Sequence, residues 1–226
     1  MYELDFSVLL THKELLLSGI IVTLKVCCIS LIFAFFIGVI ISYCRCEIKN
    51  CFINKLFAFF VEVIRNTPLL IQIYIVYKVL PQLGIVFNPF QSGVLALSIF
   101  SGVYISEVLR SGINSVGIEQ RESALSLGFN NLSTFYYIIF PQAIKHVISP
   151  LGSQFINLIK NSSLVSFISV TDIFYVTYKQ ISDDFRIIEY FLFAAIAYMG
   201  LTGIIVFCVN LSEILLKLKY RKLEEV

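Results

Sequence analysis

The sequence predicts an all-α integral membrane protein with five transmembrane helices. Of its 226 residues, 58% are hydrophobic and only 14% are charged, and the mean hydropathy is +0.87. Soluble domains contain roughly 45–50% apolar and about 25% charged residues, so this composition excludes an ordinary water-soluble enzyme. Five apolar runs, each bounded by polar or helix-breaking residues, have the length of about 20 residues that a helix needs to cross a bilayer.

The five predicted spans follow one another with short connections. In chain order they cover residues 15–43, 57–80, 91–109, 147–170 and 187–216. The second run contains Pro68, which is expected to kink its helix because proline lacks the amide hydrogen that an inner turn needs. A short turn from Pro81 to Pro89 separates this run from the third. We therefore expect one transmembrane domain over residues 1–226, with one longer aqueous segment at about residues 111–140.

The positive charges predict the orientation of these spans, because short cytoplasmic loops are enriched in Lys and Arg. Most of these residues fall on one side: Arg45, Lys49, Lys55, Arg110, Arg121, Lys145, Lys217, Lys219, Arg221 and Lys222. The other side carries Lys13, Lys78, Lys179 and Arg186. With an odd number of spans, this bias predicts an outside N-terminus and a cytoplasmic C-terminus.

The aqueous segment predicts a pair of short helices on the cytoplasmic side. The first would cover residues 118–127, with acids in its first turn, where they suit the positive end of a helix. Gly128 would end it in a left-handed conformation, and the second helix would run from near Ser133 to just before Pro141. Such a hairpin suits the docking of a cytosolic partner, but a plain connector explains the pattern equally well.

Polar residues inside the predicted spans are candidates for a translocation path, because a charge at the bilayer centre costs at least about 2.5–3.5 kcal/mol. Glu62 and Arg65 are three residues apart and can pair on one helix face. A structural ion pair near the interface is the alternative for them. Lys160 lies near the middle of the fourth run, and Asn161 and Ser162 follow it. A snorkelling lysine or a hydrogen bond to a neighbouring helix is the alternative there.

The sequence predicts no catalytic residue, no metal site and no cofactor bound by this chain. Two histidines, and six cysteines without C-x-x-C pairs, do not supply a metal-ligand pattern. Gly112 and Gly117 have the spacing of a phosphate loop, but Lys and Ser or Thr do not follow them. The net charge of +2 gives no reason to expect a nucleic acid as a partner.

Residues 119–143, EQRESALSLGFNNLSTFYYIIFPQA, resemble the EAA loop of the membrane permease subunits of bacterial ATP-binding-cassette (ABC) importers. The residues that match the loop are Glu122, Ala124, Gly128 and Pro141, while Ser123 and Glu119 depart from its usual pattern. Other stretches are similar to the polar amino-acid branch of type I importers, namely residues 18–24, 61–72, 104–116 and 160–165. The resemblance thus extends over nearly the whole chain.

This resemblance implies the type I importer permease fold, in the bacterial cytoplasmic membrane, and a role in ATP-driven import of polar amino acids. It implies three partners besides the lipid bilayer: a second permease subunit, identical or related, a cytosolic ATPase dimer that binds ATP and Mg, and an extracytoplasmic amino-acid-binding protein. The matched residues would couple the ATPase to the path: Glu122, Ala124, Gly128 and Pro141. Acids of a predicted outer loop would meet the binding protein or simply be solvated: Asp172, Asp183 and Asp184.

Two other functional classes compete with the importer. A self-contained channel or ion-coupled carrier for small polar solutes would use the intramembrane charges without an ATPase. The two halves of the chain show no clear inverted repeat, which weakens the carrier hypothesis. A membrane-embedded enzyme would need a nucleophile and a base, and the sequence offers no such pair. The sequence does not indicate which amino acid an importer would carry.

Overall fold

The computed structural model describes residues 3–48 and 50–224, with side chains described as far as Leu215. The ten α-helices of this part are α1 (Ser7–Thr11), α2 (Lys13–Cys46), α3 (Cys51–Arg65), α4 (Leu69–Tyr74), α5 (Pro89–Ser115), α6 (Ile118–Ser126), α7 (Asn131–Thr134), α8 (Phe140–Ser162), α9 (Ile173–Asp184) and α10 (Ile187–Glu224). Shorter π or 3-10 turns cover Ile75–Val79, Leu80–Leu83, Phe135–Ile139 and Ser163–Ile168. Lys49 lies outside the described residues, and Lys217, Lys219, Arg221 and Lys222 lie outside the described side chains.

Within residues 3–48 and 50–224, three helices are long and apolar enough to cross a membrane: α2, α5 and the Ile187–Leu215 part of α10. They coincide with the first, third and fifth predicted spans. A bent pair, α3 followed by Leu69–Leu83, makes a fourth if the pair is one broken span. The fourth predicted span falls on α8, which ends at Ser162 and does not belong to this set. The five-span topology and the orientation of the termini stay predictions.

The break at Pro68 confirms the predicted kink. α3 ends at Arg65, and the chain passes through Pro68, whose ψ of 134° is extended rather than helical. The Asn66 side-chain amide donates to the Glu62 carbonyl at 2.8 Å and to the Glu62 carboxylate at 3.0 Å. These bonds tie the Asn66 side chain back to the last turn of α3, beside the 3.0 Å bond from the Asn66 amide to the same Glu62 carbonyl.

The chain forms two compact units, of which the first contains Met1–Ile32, Pro68–Ser98 and Ile156–Ile204. Its core includes Leu16, Val176 and Tyr190, from α2, α9 and α10. At Gly19 the backbone of α2 comes so close to that of Asp172 that a Cβ atom would lie 3.2 Å from its carbonyl oxygen. The N-terminus of α9 is therefore packed directly against α2.

The second unit contains Phe33–Thr67, Ile99–Phe155 and Ile205–Val226. Its main core cluster joins α2, α5 and α8 through Ala34, Ile105, Leu109, Val147 and Leu151. Small residues let these helices approach closely, as is common where helices pack inside a membrane. This close packing positions the ends of α2, α5 and α8 around the hairpin.

The hairpin departs from the prediction at its second helix. α7 begins at Asn131, widens into the π turn Phe135–Ile139 and continues directly into α8. The predicted end before Pro141 is therefore wrong. Pro141 is the second residue of α8. Because helical backbone precedes it without a break, Pro141 cannot donate a hydrogen bond to the turn before it, and the π turn Phe135–Ile139 lies in that preceding turn.

Candidate functional site

The turn after α6 has the left-handed glycine that the sequence predicts. Gly128 has a φ of +87°, and its amide donates to the Leu125 carbonyl at 3.0 Å. The Phe129 amide donates to the Ala124 carbonyl at 3.2 Å. A Cβ atom on Gly128 would meet nothing within 4 Å. Glycine is thus required here by the backbone conformation and not by lack of space.

One side of α6 packs inward. Ala124 is only 3% exposed, and α6 contacts the turn Phe135–Ile139 that follows α7. The small side chain of Ala124 therefore permits close packing within this chain, and its part in the contact with an ATPase stays a prediction. Asn130 caps α7 by accepting a 2.8 Å hydrogen bond from the Ser133 amide. Together these contacts make the hairpin a compact, self-supported element.

The other side of the hairpin is open and apolar. Glu122 is exposed, and so are large hydrophobic residues of α6, α7 and their connections: Ile118, Leu125, Leu127, Phe129, Leu132, Tyr136 and Tyr137. Leu127 is 79% exposed. Large apolar side chains that cluster on an exposed surface mark a site of contact with another protein or with the membrane.

An ion pair that the sequence did not predict anchors α6 to the end of α2. The Glu47 side chain is fully buried and accepts hydrogen bonds from both terminal nitrogens of Arg121. These bonds raise the pKa of Arg121 above its ordinary value. A planar guanidinium that meets a carboxylate through two parallel bonds is held in both distance and orientation. No local pattern signals this pair, because Glu47 is simply an acid beyond the end of a span.

A second ionic cluster centres on Glu107 of α5, which sequence reasoning also missed. Its carboxylate accepts hydrogen bonds from Arg45 of α2 and from Arg110, the latter at 2.9 Å, and lies 3.9 Å from Arg65 of α3. The predicted pair of Glu62 and Arg65 is present, but loose, at 3.9 Å between exposed side chains. Glu107 therefore ties three elements together, and Glu62 is peripheral to it.

A groove of about 420 Å³ lies between α5 and α8 beside this cluster. Its lining includes Glu107, Ser111 and His146, with Pro150 towards the middle of α8. Gly112 and Val147, which approach each other closely, also line it. Among the described residues, no group of three metal-ligating side chains is placed to hold a metal ion.

The three path candidates at the end of α8 differ in their exposure. Lys160 is exposed and Asn161 is partly buried. Ser162 is fully buried, and its hydroxyl donates to the Ile159 carbonyl at 2.7 Å. The helix tightens at this point into the turn Ser163–Ile168. Of the three, Lys160 has the most accessible side chain.

The predicted outer acids do not form one loop. The prediction that Asp172 is a surface acid is wrong, because its side chain is buried and caps α9 by accepting from the Tyr175 amide at 2.9 Å. It also accepts from the Tyr198 hydroxyl at 3.1 Å. Asp183 is exposed, while Asp184 accepts from a tyrosine hydroxyl and lies 3.3 Å from the His12 imidazole. An Asp just before an apolar run is a capping signal that sequence reasoning could have used.

The buried Asp172 gives a pH-dependent prediction. Burial raises the pKa of Asp172 from its ordinary value of 3.8 to about 6, so its contribution to stability is complete below pH 3.8 and is lost as the pH rises through 6. Asp172→Asn keeps an acceptor oxygen and cannot ionise. We therefore expect the thermal midpoint of Asp172→Asn in detergent, relative to that of the parent, to rise between pH 4 and 6. At pH 7–8 the midpoint of the variant should equal or exceed that of the parent. Asp172→Ala, which loses the cap, should be less stable by about 1–2 kcal/mol. If the thermal midpoints of Asp172→Asn and the parent change in parallel over this pH range, the raised pKa of Asp172 is contradicted.

Comparison with known proteins gives consistent matches. The model of the family described as "Binding-protein-dependent transport system inner membrane component" matches residues 30–213. The "Probable glutamine ABC transporter permease protein GlnM" of Bacillus subtilis is 35% identical over 217 residues, which are 96% of this chain and 100% of that protein. The "Arginine transport system permease protein ArtQ" of the same organism is 33% identical over 206 residues, 91% of this chain and 94% of that one.

Two solved structures share the fold. A chain from the crystal structure of an amino acid ABC transporter with histidines has a TM-score of 0.84 and 32% identity, over 94% of this chain and 99% of that one. A chain of the MetNI methionine ABC transporter, in an inward-facing conformation, has a TM-score of 0.76 over 88% of this chain and 95% of that one. Its identity is 16%, so this second likeness concerns the fold alone.

Proposed function

Since the chain belongs to the family of binding-protein-dependent transport system inner membrane components and is a permease component of an ABC amino-acid importer, we propose that it forms the translocation path for a polar amino acid and couples this path to a separate ATPase. ATP and Mg would be bound by that ATPase dimer. A second permease subunit and an extracytoplasmic amino-acid-binding protein complete the proposed assembly in the bacterial cytoplasmic membrane.

The hairpin is the observation that carries this proposal. It combines an exposed apolar surface around Leu125 and Leu127 with the exposed carboxylate of Glu122. It is also held firmly to the chain behind it, by the buried Ala124 and by the Glu47–Arg121 pair. A surface that binds an ATPase must transmit the displacement of the ATPase to the membrane helices. A loosely attached loop would move by itself and would not transmit this displacement.

The alternative, a channel or carrier that works without an ATPase, has weaker support. Glu62 and Arg65 are both exposed and only loosely paired, at 3.9 Å, and Arg65 lies equally far from Glu107. The relatives named above are permeases of ABC systems. We therefore retain the importer as the proposed function.

Reconstitution tests this function directly. The chain would be co-expressed with the ABC ATPase and the amino-acid-binding protein of its own organism, purified as a complex and placed in proteoliposomes. We expect the ATPase to co-purify and radiolabelled glutamine, arginine, histidine, lysine or cystine to accumulate only with ATP and binding protein. Uptake that follows an ion gradient and needs neither partner would refute the proposal.

Lys160 gives a second prediction about the path. If its exposed ammonium group contacts the passing amino acid, Lys160→Met should raise the KM for uptake about tenfold, since a hydrogen bond to a charged group contributes about 1.5 kcal/mol. The matched control is Lys179→Met, which removes an exposed lysine of α9. Equal KM values for Lys160→Met, Lys179→Met and the parent, at equal amounts of complex, would remove Lys160 from the path.

A further inference from the structure

We propose that the ion pair of the buried Glu47 with Arg121 is the link through which a displacement of the hairpin passes into the last turn of α2. Both are positioning residues that act through the elements they join. This inference rests on the proposed function of the hairpin. It goes beyond that function by naming the element that receives the displacement and the contact that transmits it.

The end of α2 is attached to its surroundings by three side chains at alternate positions. The Tyr43 ring meets the Phe135 ring edge-on, with 4.9 Å between centroids. Arg45 donates to the Glu107 carboxylate of α5. Glu47 lies just past the end of α2 and binds Arg121 of α6. The same short segment thus contacts the helix that carries the coupling surface and the two elements beside it.

Glu47 still belongs mechanically to α2. Its amide donates to the Tyr43 carbonyl at 2.9 Å, which continues the helical hydrogen-bond pattern by one residue. The next segment is also tied back, because the Asn54 side-chain amide donates to the Arg45 carbonyl at 3.2 Å. A force on the Glu47 carboxylate is therefore applied to the helix and not to a slack loop.

On α6, Arg121 lies next to one exposed residue and one turn away from a buried one. It directly precedes the exposed Glu122, and the buried Ala124 lies one turn further on. The guanidinium is 30% exposed, whereas the Glu47 side chain is fully buried. The buried charge of Glu47 has Arg121 as its ionic partner, so separation of the pair is strongly unfavourable and α6 and the end of α2 should move as one body.

The remaining attachments of α6 are weaker. Its inward contact with the turn after α7 is apolar and has no preferred direction along the surface. The Gln142 side-chain amide reaches Gln120 at 3.4 Å, which is a long hydrogen bond between exposed groups. Two parallel charged bonds fix both the distance and the orientation of α6 relative to the end of α2. We therefore infer that the ion pair determines the direction in which a movement of α6 displaces the end of α2.

The test measures coupling in the assembled complex, reconstituted as described above. Glu47→Gln removes one charge at nearly constant shape, and Arg121→Gln removes the other charge together with the guanidinium group. The readout is the stimulation of ATP hydrolysis by binding protein loaded with glutamine or arginine, together with the amino acid transported per ATP hydrolysed. We expect each variant to lose at least about fivefold in both quantities at an equal amount of complex, since coupling between sites typically changes equilibria by 5–150-fold.

Further variants separate transmission from a merely structural role. The double variant Glu47→Gln with Arg121→Gln should be no worse than the worse single variant, because both changes break the same contact. Arg121→Lys keeps the charge but loses the paired geometry and should be intermediate. The matched control is Glu14→Gln, an exposed acid at the opposite end of α2, which should couple like the parent.

The outcomes are distinct. If loaded binding protein stimulates ATP hydrolysis by Glu47→Gln as strongly as by the parent, the proposed link is wrong. It is also wrong if the loss of stimulation is fully explained by a smaller amount of assembled complex. Additive losses in the double variant also overturn it. A parent chain that does not co-purify with the ATPase, or whose complex is not stimulated by loaded binding protein, refutes the proposed function itself.

Discussion

Replacement of Gly128 with valine is expected to abolish ATP-driven uptake while the chain still folds and inserts into the membrane. Gly128 has a φ of +87°, and a β-branched residue in the left-handed region is strained by roughly 1–3 kcal/mol. The chain relieves this strain by leaving the left-handed conformation, which changes the direction of the chain between α6 and α7. The exposed surface of the hairpin would then no longer match its partner. Uptake in proteoliposomes and co-purification of the ATPase measure the effect.

Gly84 provides the matched control. Its φ is +83°, and a Cβ atom there also meets nothing within 4 Å, so Gly84→Val introduces the same strain in the same open space. Gly84 ends the turn Leu80–Leu83, far along the chain from the hairpin. We expect both variants to lose similar thermal stability and only Gly128→Val to lose the ATPase. Normal uptake by Gly128→Val, or equal loss of the ATPase in both, would contradict the coupling role of the hairpin.

Gly112→Leu is expected to have the largest effect on stability. A Cβ atom on Gly112 would lie 2.4 Å from a methyl carbon of Val147 and 2.9 Å from the Ala143 carbonyl oxygen. The second of these is backbone and cannot rotate away, so α5 and α8 must separate. Overpacking of this kind costs about 1–3 kcal/mol, which lowers the thermal midpoint of a chain of this size by roughly 2–12 °C. Thermal unfolding of the purified chain in detergent measures this shift.

Gly203→Leu is the control for this substitution. Gly203 lies within α10, and a Cβ atom there would meet nothing within 4 Å. Because leucine is a better helix former than glycine, this variant should keep or slightly raise the thermal midpoint. Gly112→Ala, which adds the Cβ atom alone, should be intermediate. If Gly112→Leu unfolds at or above the temperature of Gly203→Leu, the close approach of α5 and α8 is not a determinant of stability.

Features that depend on neighbouring residues could be predicted from the sequence. The apolar runs of α2, α5 and α10 identify spans because the backbone hydrogen bonds of a helix close within the segment itself. The left-handed turn at Gly128 and the break at Pro68 also follow from single residues with special backbone properties. The exact helix ends were less predictable, as the passage of α7 into α8 through the π turn shows, because packing decides how far a helix continues.

The role of each polar residue required the tertiary structure. Asp172 was expected on the surface and instead caps α9 in the interior, because packing against α2 surrounds the start of that helix. Ala124, whose part in coupling stays a prediction, packs within the chain. Burial is a property of neighbours brought together by folding, and a residue type alone does not specify it.

The sequence by itself determined the fold class, the position of the hairpin and its left-handed turn, since each depends on residues within one or two helical turns. Only the tertiary structure decided which charges meet. Glu47 and Arg121 are 74 residues apart, and Arg45 and Glu107 are 62 apart. Partners at such separations are selected by the packing of whole helices and not by local spacing. The contact proposed to transmit motion from the hairpin is therefore visible only in the folded chain.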